Sequence, residues 1–179
     1  MLLWPGGKQE LAWMRRQGSG IKRLLGVVHL EKFILGQGHL DLTEEGKTAK
    51  SMAQTVIDKG LCDLQEIWGS EVTLWYPGLY AGATDLVGTY DYEDSIIDFK
   101  QSTKPKRKEW IEDYLLQLAA YAMAHNQVYG TEITQGVILM CTPDNYFQKF
   151  QVKGQEFISY QHKFLEKVDL YYKRAKLTA

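Results

Sequence analysis

An α/β fold, a mixed β-sheet flanked by helices, is what this sequence predicts, and three observations carry the prediction. Period-two patterning is concentrated in residues 71–100, which read as a three-strand meander. A long helical pattern over residues 109–129 follows directly. Residues 136–141 (GVILMC) then form a continuous apolar run, the pattern of a strand buried on both faces of a sheet. A meander, a crossover helix and a further strand pair make an α/β chain rather than a bundle or a sandwich.

Residues 1–60 are helical in pattern. Residues 9–16 carry Leu11, Trp13 and Met14 before Gly18-Ser19-Gly20 breaks the pattern, and residues 24–35 are apolar-rich. Thr43 with Glu44 and Glu45 sets a cap and acids ahead of a third helix, which reaches Asp58 and stops at Gly60. The first strand opens at Glu71, with Val72, Leu74 and Tyr76 alternating before Pro77-Gly78 turns the chain. The second covers residues 80–90, weakened by Gly82 and Gly88. Residues 91–94 read as the turn and residues 95–100 as the third strand. In the long helix Ile111, Leu115, Leu118 and Ala122 fall at helical spacing, and Gly130 stops it. Pro143-Asp144-Asn145 leads into an outer strand over 146–152. A closing amphipathic helix over 154–176 carries Phe157, Tyr160, Phe164, Val168 and Tyr171. The expected organisation is one domain over 1–179, with a helical region (1–60), a core (71–152) and the closing helix.

Composition narrows the classes of function. At 45% hydrophobic and 24% charged the chain has the balance of a soluble globular protein. Its 179 residues suit one domain with a core of its own. No stretch approaches 18 consecutive apolar residues, and the start lacks the features of a signal peptide, so a cytoplasmic protein without membrane association is expected. A net charge of −1 excludes a polycation; a nucleic-acid partner requires a local basic patch. Cys62 and Cys141 are not in metal-ligand spacing, which excludes a cysteine-built zinc or iron–sulfur site, and Cys141 reads as a small buried hydrophobe.

The chemistry lies in the meander. Asp98 and Lys100 are two apart on the third strand and share a face, while Phe99 points to the other. With residues 91–94 as the turn, Tyr90 pairs with Ser95 and Asp85 falls opposite Lys100; any odd pairing sum keeps the three charged groups on one face. Two carboxylates and an ammonium then converge, equipment suited to phosphodiester hydrolysis: carboxylate oxygens hold a hard divalent cation, Mg²⁺ or Mn²⁺, that polarises the phosphoryl oxygen, and the lysine offsets developing charge. The same spacing also suits a surface ion pair across a hairpin. Gln117 and Tyr121 are four apart on the long helix and Tyr114 lies one turn earlier, a polar strip suited to a cleft or to packing on the sheet. Between the third strand and this helix come Lys104, Lys106, Arg107 and Lys108, then Trp110. Basic side chains there neutralise phosphates and the indole stacks on bases; a solvated loop is the plainer alternative.

Three blocks, Gly82-Ala83-Thr84-Asp85-Leu86-Val87-Gly88, Ile96-Ile97-Asp98-Phe99-Lys100-Gln101-Ser102 and Gln117-Leu118-Ala119-Ala120-Tyr121, resemble in order and spacing the RecB-like branch of the PD-(D/E)xK nuclease superfamily. The chain looks most like the phage and mitochondrial genome-maintenance exonucleases, over roughly residues 22–152. The resemblance implies a restriction-endonuclease-like core and a metal-dependent DNA exonuclease acting on single-stranded DNA or DNA ends, in a bacterial or phage-infected cell. A structure- or sequence-specific endonuclease and a catalytically silent nucleic-acid-binding module are the alternatives. It further implies metal ligation by Asp85, Asp98 and the Phe99 carbonyl, with Lys100 as catalytic lysine. Gln117 and Tyr121 would contact nucleic acid or support that lysine, and Gln101 and Ser102 would join the nucleic-acid contacts. The family carries an early helix with a histidine and, four residues later, a glutamate. Here His29 and Glu31 are two apart, on different faces of a helix. His29 is the first choice for an amino-terminal ligand and Glu31 the second. Glu71 is an acid at a strand start, suited to the metal site or to solvent.

Overall fold

The computed structural model describes residues 44–177. In chain order these are α1 (Glu44–Gly60), β1 (Leu64–Tyr76), β2 (Tyr80–Tyr90), β3 (Glu93–Gln101), α2 (Glu112–Tyr129), β4 (Gln135–Cys141), β5 (Phe147–Lys153) and α3 (Gly154–Leu177). The helices expected over 9–16 and 24–35, and with them His29 and Glu31, lie outside the described residues.

The strands form one mixed sheet in the order β1-β2-β3-β4-β5. Neighbours are antiparallel except β3 and β4, which are parallel. A parallel pair needs a crossover, and α2 supplies it. The expected α/β order, with meander, crossover helix, strand pair and closing helix, is therefore the observed one. β4 is buried along its whole length, as its apolar run requires.

Two apolar clusters hold the helices to the sheet. On one face Leu115, Leu118 and Ala122 of α2 and Phe157 and Phe164 of α3 pack on Val87, Ile96, Ile138 and Met140. On the other, Met52, Ala53 and Val56 of α1 pack on Leu86, Ile97, Phe99, Val137 and Leu139. Phe99 thus fills core on the α1 side, and Cys141 is buried beside it.

Three expectations are corrected. β1 begins at Leu64, not at Glu71. Its first half carries register shifts between Leu64 and Glu66 and between Ile67 and Gly69; such bulges erase the period-two signal. The β2–β3 turn is Asp91-Tyr92 alone, both with positive φ (52° and 63°), and Glu93 and Asp94 belong to β3. A two-residue left-handed turn matches the twist of its strands. It moves the register by two, so that Tyr90 pairs with Glu93 and Leu86 with Ile97. Asp85 consequently falls opposite Asp98 rather than Lys100. The pairing sum remains odd. Last, the long helix begins as a 3-10 turn, Lys108–Ile111, before α2 proper.

Alternation is not kept along β2. Gly82 faces α2, because a Cβ there would meet the Tyr121 ring. Leu86, four residues on, belongs to the α1-side cluster, although a regular strand would put both on one face. β1 turns over at the same level: Val72 and Leu74 lie on the α2 side, Ser70 pairs with Leu86, and Glu71 between them has φ 52°. The ladder therefore sets Glu71 opposite Asp85.

Candidate active site

The β2–β3 ladder ends at the pair Leu86 and Ile97. One residue beyond, the Asp85 carboxylate accepts the Phe99 backbone N–H at 2.8 Å. A side chain there occupies the next rung of the sheet. Asp98 and Lys100 project from β3 on the α2 side and form an ion pair with each other. They are only 3% and 4% exposed, so this is not the surface pair that the spacing also allowed. Lys100 Nζ sits 5.2 Å from the centroid of the Tyr114 ring, a cation–π contact that helps hold an ammonium away from water. Beyond the ion pair that joins them, neither Asp98 Oδ2 nor Lys100 Nζ has a hydrogen-bond partner among the described residues. Buried charges left this incompletely satisfied destabilise a fold and are concentrated at functional sites.

Burial, then the neighbouring charge of Asp98, pushes the Asp85 carboxyl up to about 8; Lys100 and the Phe99 N–H act the other way, and Glu71 adds a smaller upward push. Asp85 and Asp98 are two carboxylates beside a single lysine, and the upward push on Asp85 reflects, after burial, a second negative charge there with no second positive charge among the described residues to compensate it. The need for a second positive charge and the oxygen character of the donors fit a hard divalent cation. Asp85, Asp98 and the Phe99 carbonyl are the groups of this region that would hold it. Among the described residues no three His, Cys, Asp or Glu side chains form a metal-holding group by themselves.

α2 forms the roof. Gln117 donates from Nε2 to the Tyr121 phenol oxygen at 2.7 Å, and both side chains are buried, at 8% and 4% exposure. Tyr114 lies on the same helix a turn earlier, over Lys100. Tyr121 meets Gly82 of β2 and Tyr114 covers Lys100 of β3, so the polar strip of the helix faces the sheet. The seat of Tyr121 on Gly82 was missed in the sequence; a glycine in a strand signals close approach in general but does not name the approaching group.

The residues after Lys100 divide. Gln101 is not brought to this face; it lines a cavity of about 270 Å³ on the α1 side with Glu44, Thr48, Met52 and Pro143. Ser102 donates its backbone N–H to Cys141 and its hydroxyl to the Lys104 carbonyl, closing the end of β3. The basic segment is tethered: Lys106 and the Gln148 side chain of β5 exchange two hydrogen bonds, at 2.8 and 2.9 Å. Lys108 pairs with Glu156 at 2.5 Å. Arg107 lies over the Trp110 ring at 5.6 Å, and the indole is 64% exposed. Lys104 is exposed and Lys106 half-buried.

No family model matches the chain, and no curated protein does. Among solved structures, a candidate exonuclease from Eubacterium rectale is similar in fold, with a TM-score of 0.63 at 14% identity over 92% of this chain and 70% of that one. Two chains align more loosely. SSO0001 has a TM-score of 0.39 at 14% identity, over 86% of this chain and 87% of that one. The alkaline exonuclease LHK-Exo from Laribacter hongkongensis has 0.33 at 9%, over 96% and 100%. The first likeness establishes the fold, a mixed sheet flanked by helices. Among the described residues no helix is long and apolar enough to cross a membrane.

Proposed function

We propose that this chain is a divalent-metal-dependent deoxyribonuclease of the RecB-like PD-(D/E)xK kind, an exonuclease working on single-stranded DNA or DNA ends with Mg²⁺ or Mn²⁺. The observation that carries the reading is the buried Asp98–Lys100 ion pair, whose paired atoms have no further hydrogen-bond partner among the described residues, on the strand whose Phe99 N–H the Asp85 carboxylate accepts. An apolar sheet gains nothing structurally from such a set, since hydrophobic replacements of buried ion pairs are often neutral or stabilising. The similarity in fold to a candidate exonuclease supports the same reading.

The roles follow from chemistry. Asp85, Asp98 and the Phe99 carbonyl would hold the cation, which when bound would supply Lewis acidity toward a phosphoryl oxygen. Lys100, desolvated under Tyr114, presents positive charge where negative charge grows on the phosphate. Gln117 and Tyr121 line the roof of the cleft and orient the strand that enters it. Lys104, Lys106 and Arg107 neutralise phosphates outside the cleft, and Trp110 offers a face for an unpaired base.

The test is direct. Purified protein is incubated with end-labelled linear and closed circular DNA, each single-stranded and duplex, with Mg²⁺, Mn²⁺ or chelator. Digestion of linear DNA only, abolished by chelator and by Asp98→Ala, is the expected result. Cutting of circles identifies an endonuclease on the same fold, and binding without cutting identifies a silent module.

A further inference from the structure

We propose that Gly82 is a positioning residue: its bare Cα is the seat on which the Tyr121 ring rests, and this seat sets the Gln117–Tyr121 pair against the strand that carries Asp85. The inference rests on the nuclease reading for its effect on rate, and on geometry alone for its effect on Gln117.

Gly82 lies within β2, three residues before Asp85. Its backbone does not demand glycine. Gly78, Gly130 and Gly154 have φ of 74°, 69° and 57°, in the region that other residues avoid; Gly82 is not among the positive-φ positions. Space is what requires it. A Cβ at Gly82 would lie 2.7 Å from Tyr121 Cε1, 3.3 Å from its phenol oxygen and 3.4 Å from Cζ, and these are its three nearest neighbours. The contact is with a ring edge, which cannot bend aside as the tip of a flexible chain can. The ring is 4% exposed, so it has little room to retreat.

The phenol oxygen that sits over Gly82 is the atom that accepts the Gln117 amide at 2.7 Å. Any side chain at position 82 therefore lifts the ring, and the amide bond moves with it. α2 also carries Tyr114, which lies over Lys100. The separation between α2 and the β2–β3 hairpin at the site is thus set by a glycine that bears no functional group. The turnover of β2 between Gly82 and Leu86 makes this possible, because it lets Gly82 face the helix while Asp85 reaches the Phe99 N–H.

The experiment compares Gly82→Ala, Tyr121→Phe and the double variant, each checked for fold by circular dichroism. The ¹H–¹⁵N side-chain amide signal of Gln117 is the primary readout and needs no activity. Tyr121→Phe is expected to move that signal by removing the acceptor. Gly82→Ala is expected to move it the same way, and to add little in the Tyr121→Phe background, the non-additivity of residues in contact. With DNA and Mg²⁺, Gly82→Ala should lower kcat by ~10-fold to ~10²-fold with a smaller change in KM, the scale for small misplacement of a positioned group. A folded Gly82→Ala with the Gln117 signal at its wild-type position overturns the proposal. If Gly82→Ala does not fold, Gly82→Ala/Tyr121→Leu, which removes the ring edge, must restore folding; failure to do so also overturns it. Absence of nuclease activity in the wild-type protein defeats the functional reading and leaves the amide comparison intact.

Discussion

The Asp85 carboxylate accepts the backbone N–H of Phe99 at 2.8 Å, one residue beyond the last pair of the β2–β3 ladder. A carbonyl would ordinarily take that proton. The substitution of a side chain for a backbone group lets β2 leave β3 without orphaning the N–H, and it places a second carboxylate beside Asp98. Asp85→Asn keeps an acceptor oxygen and loses the charge, whereas Asp85→Ala loses both. We expect both variants to be inactive and only Asp85→Ala to be destabilised, by about 1–3 kcal/mol for the stranded buried donor. Urea titrations of the two proteins check this.

The raised Asp85 pKa gives a pH dependence with a definite sign. Its ordinary value is about 4 and its folded value about 8. A carboxyl raised in the folded state contributes stability that is complete below pH ~4 and is lost as pH rises through ~8. Metal-free protein should therefore melt at progressively lower temperature across that window, and Asp85→Asn should lose less. Calorimetric melts with chelator from pH 4 to pH 9 test the slope.

With a cation bound as proposed, the same group would couple its binding to proton release. Below pH ~8 a divalent cation must displace the Asp85 proton. Titration of Mn²⁺ at pH 6.5 in buffers of different ionisation enthalpy should show release approaching one proton per site, falling toward none at pH 9. Cleavage should rise over the same range. A buffer-independent enthalpy at pH 6.5 would contradict the assignment.

Lys100→Met should abolish cleavage, by ~10²–10³ in rate. It should also weaken the fold, because Asp98 keeps a buried charge with its ion-pair partner gone; breaking a buried pair from one side costs about 3–5 kcal/mol. Asp98→Asn/Lys100→Met should recover part of that loss while remaining inactive. Equal melting temperatures for wild type and Lys100→Met would show that the pair is hydrated.

For the basic segment the expectation is electrostatic. Lys104→Ala/Lys106→Ala should weaken binding to all DNA sequences alike. It should also flatten the slope of log affinity against log salt, by ~0.7 for each phosphate of a single strand that is no longer neutralised. Trp110→Ala should weaken binding with little change of slope, because stacking releases few counterions. Fluorescence anisotropy at four salt concentrations distinguishes the two.

The left-handed turn gives a stability prediction. Tyr92 is 84% exposed and has φ 63°, where glycine is favoured. Tyr92→Gly converts Asp91-Tyr92 to the preferred Asp-Gly pair and should raise stability by up to ~1 kcal/mol without affecting cleavage. A lower melting temperature would show that the ring supports the turn.

Much of this was legible in the sequence because periodicity reports burial. The run from Gly136 to Cys141 and the helical spacing of Ile111, Leu115, Leu118 and Ala122 are imprints of the two clusters, and they marked β4 and α2 to within a few residues. Asp85 was expected beside Asp98 and Lys100 from the parity of the pairing sum, but β2 turns over at this residue and its carboxylate reaches β3 by taking the Phe99 N–H. What did not follow has local causes. The length of the β2–β3 turn depends on two non-glycine residues accepting positive φ, and nothing in Asp91 or Tyr92 announces it. The first half of β1 is hidden by bulges. Gln101 shares its strand with Lys100 but faces α1, so inclusion in a motif overstated its part. The Gln148 side chain that holds Lys106 comes from a strand more than forty residues away.

All three charged groups of the site stand on one hairpin closed by two residues, Tyr80–Gln101. Hairpins form in ~1–10 μs, well before a sheet with a parallel crossover is complete. Asp85 and Asp98 therefore meet while still hydrated, when their mutual repulsion is weak. The energetic penalty arrives later, as α2 docks and expels water. Docking of that helix would then be the step at which folding senses pH, salt and divalent cations, and an ion bound as proposed would accelerate the final closure of the chain.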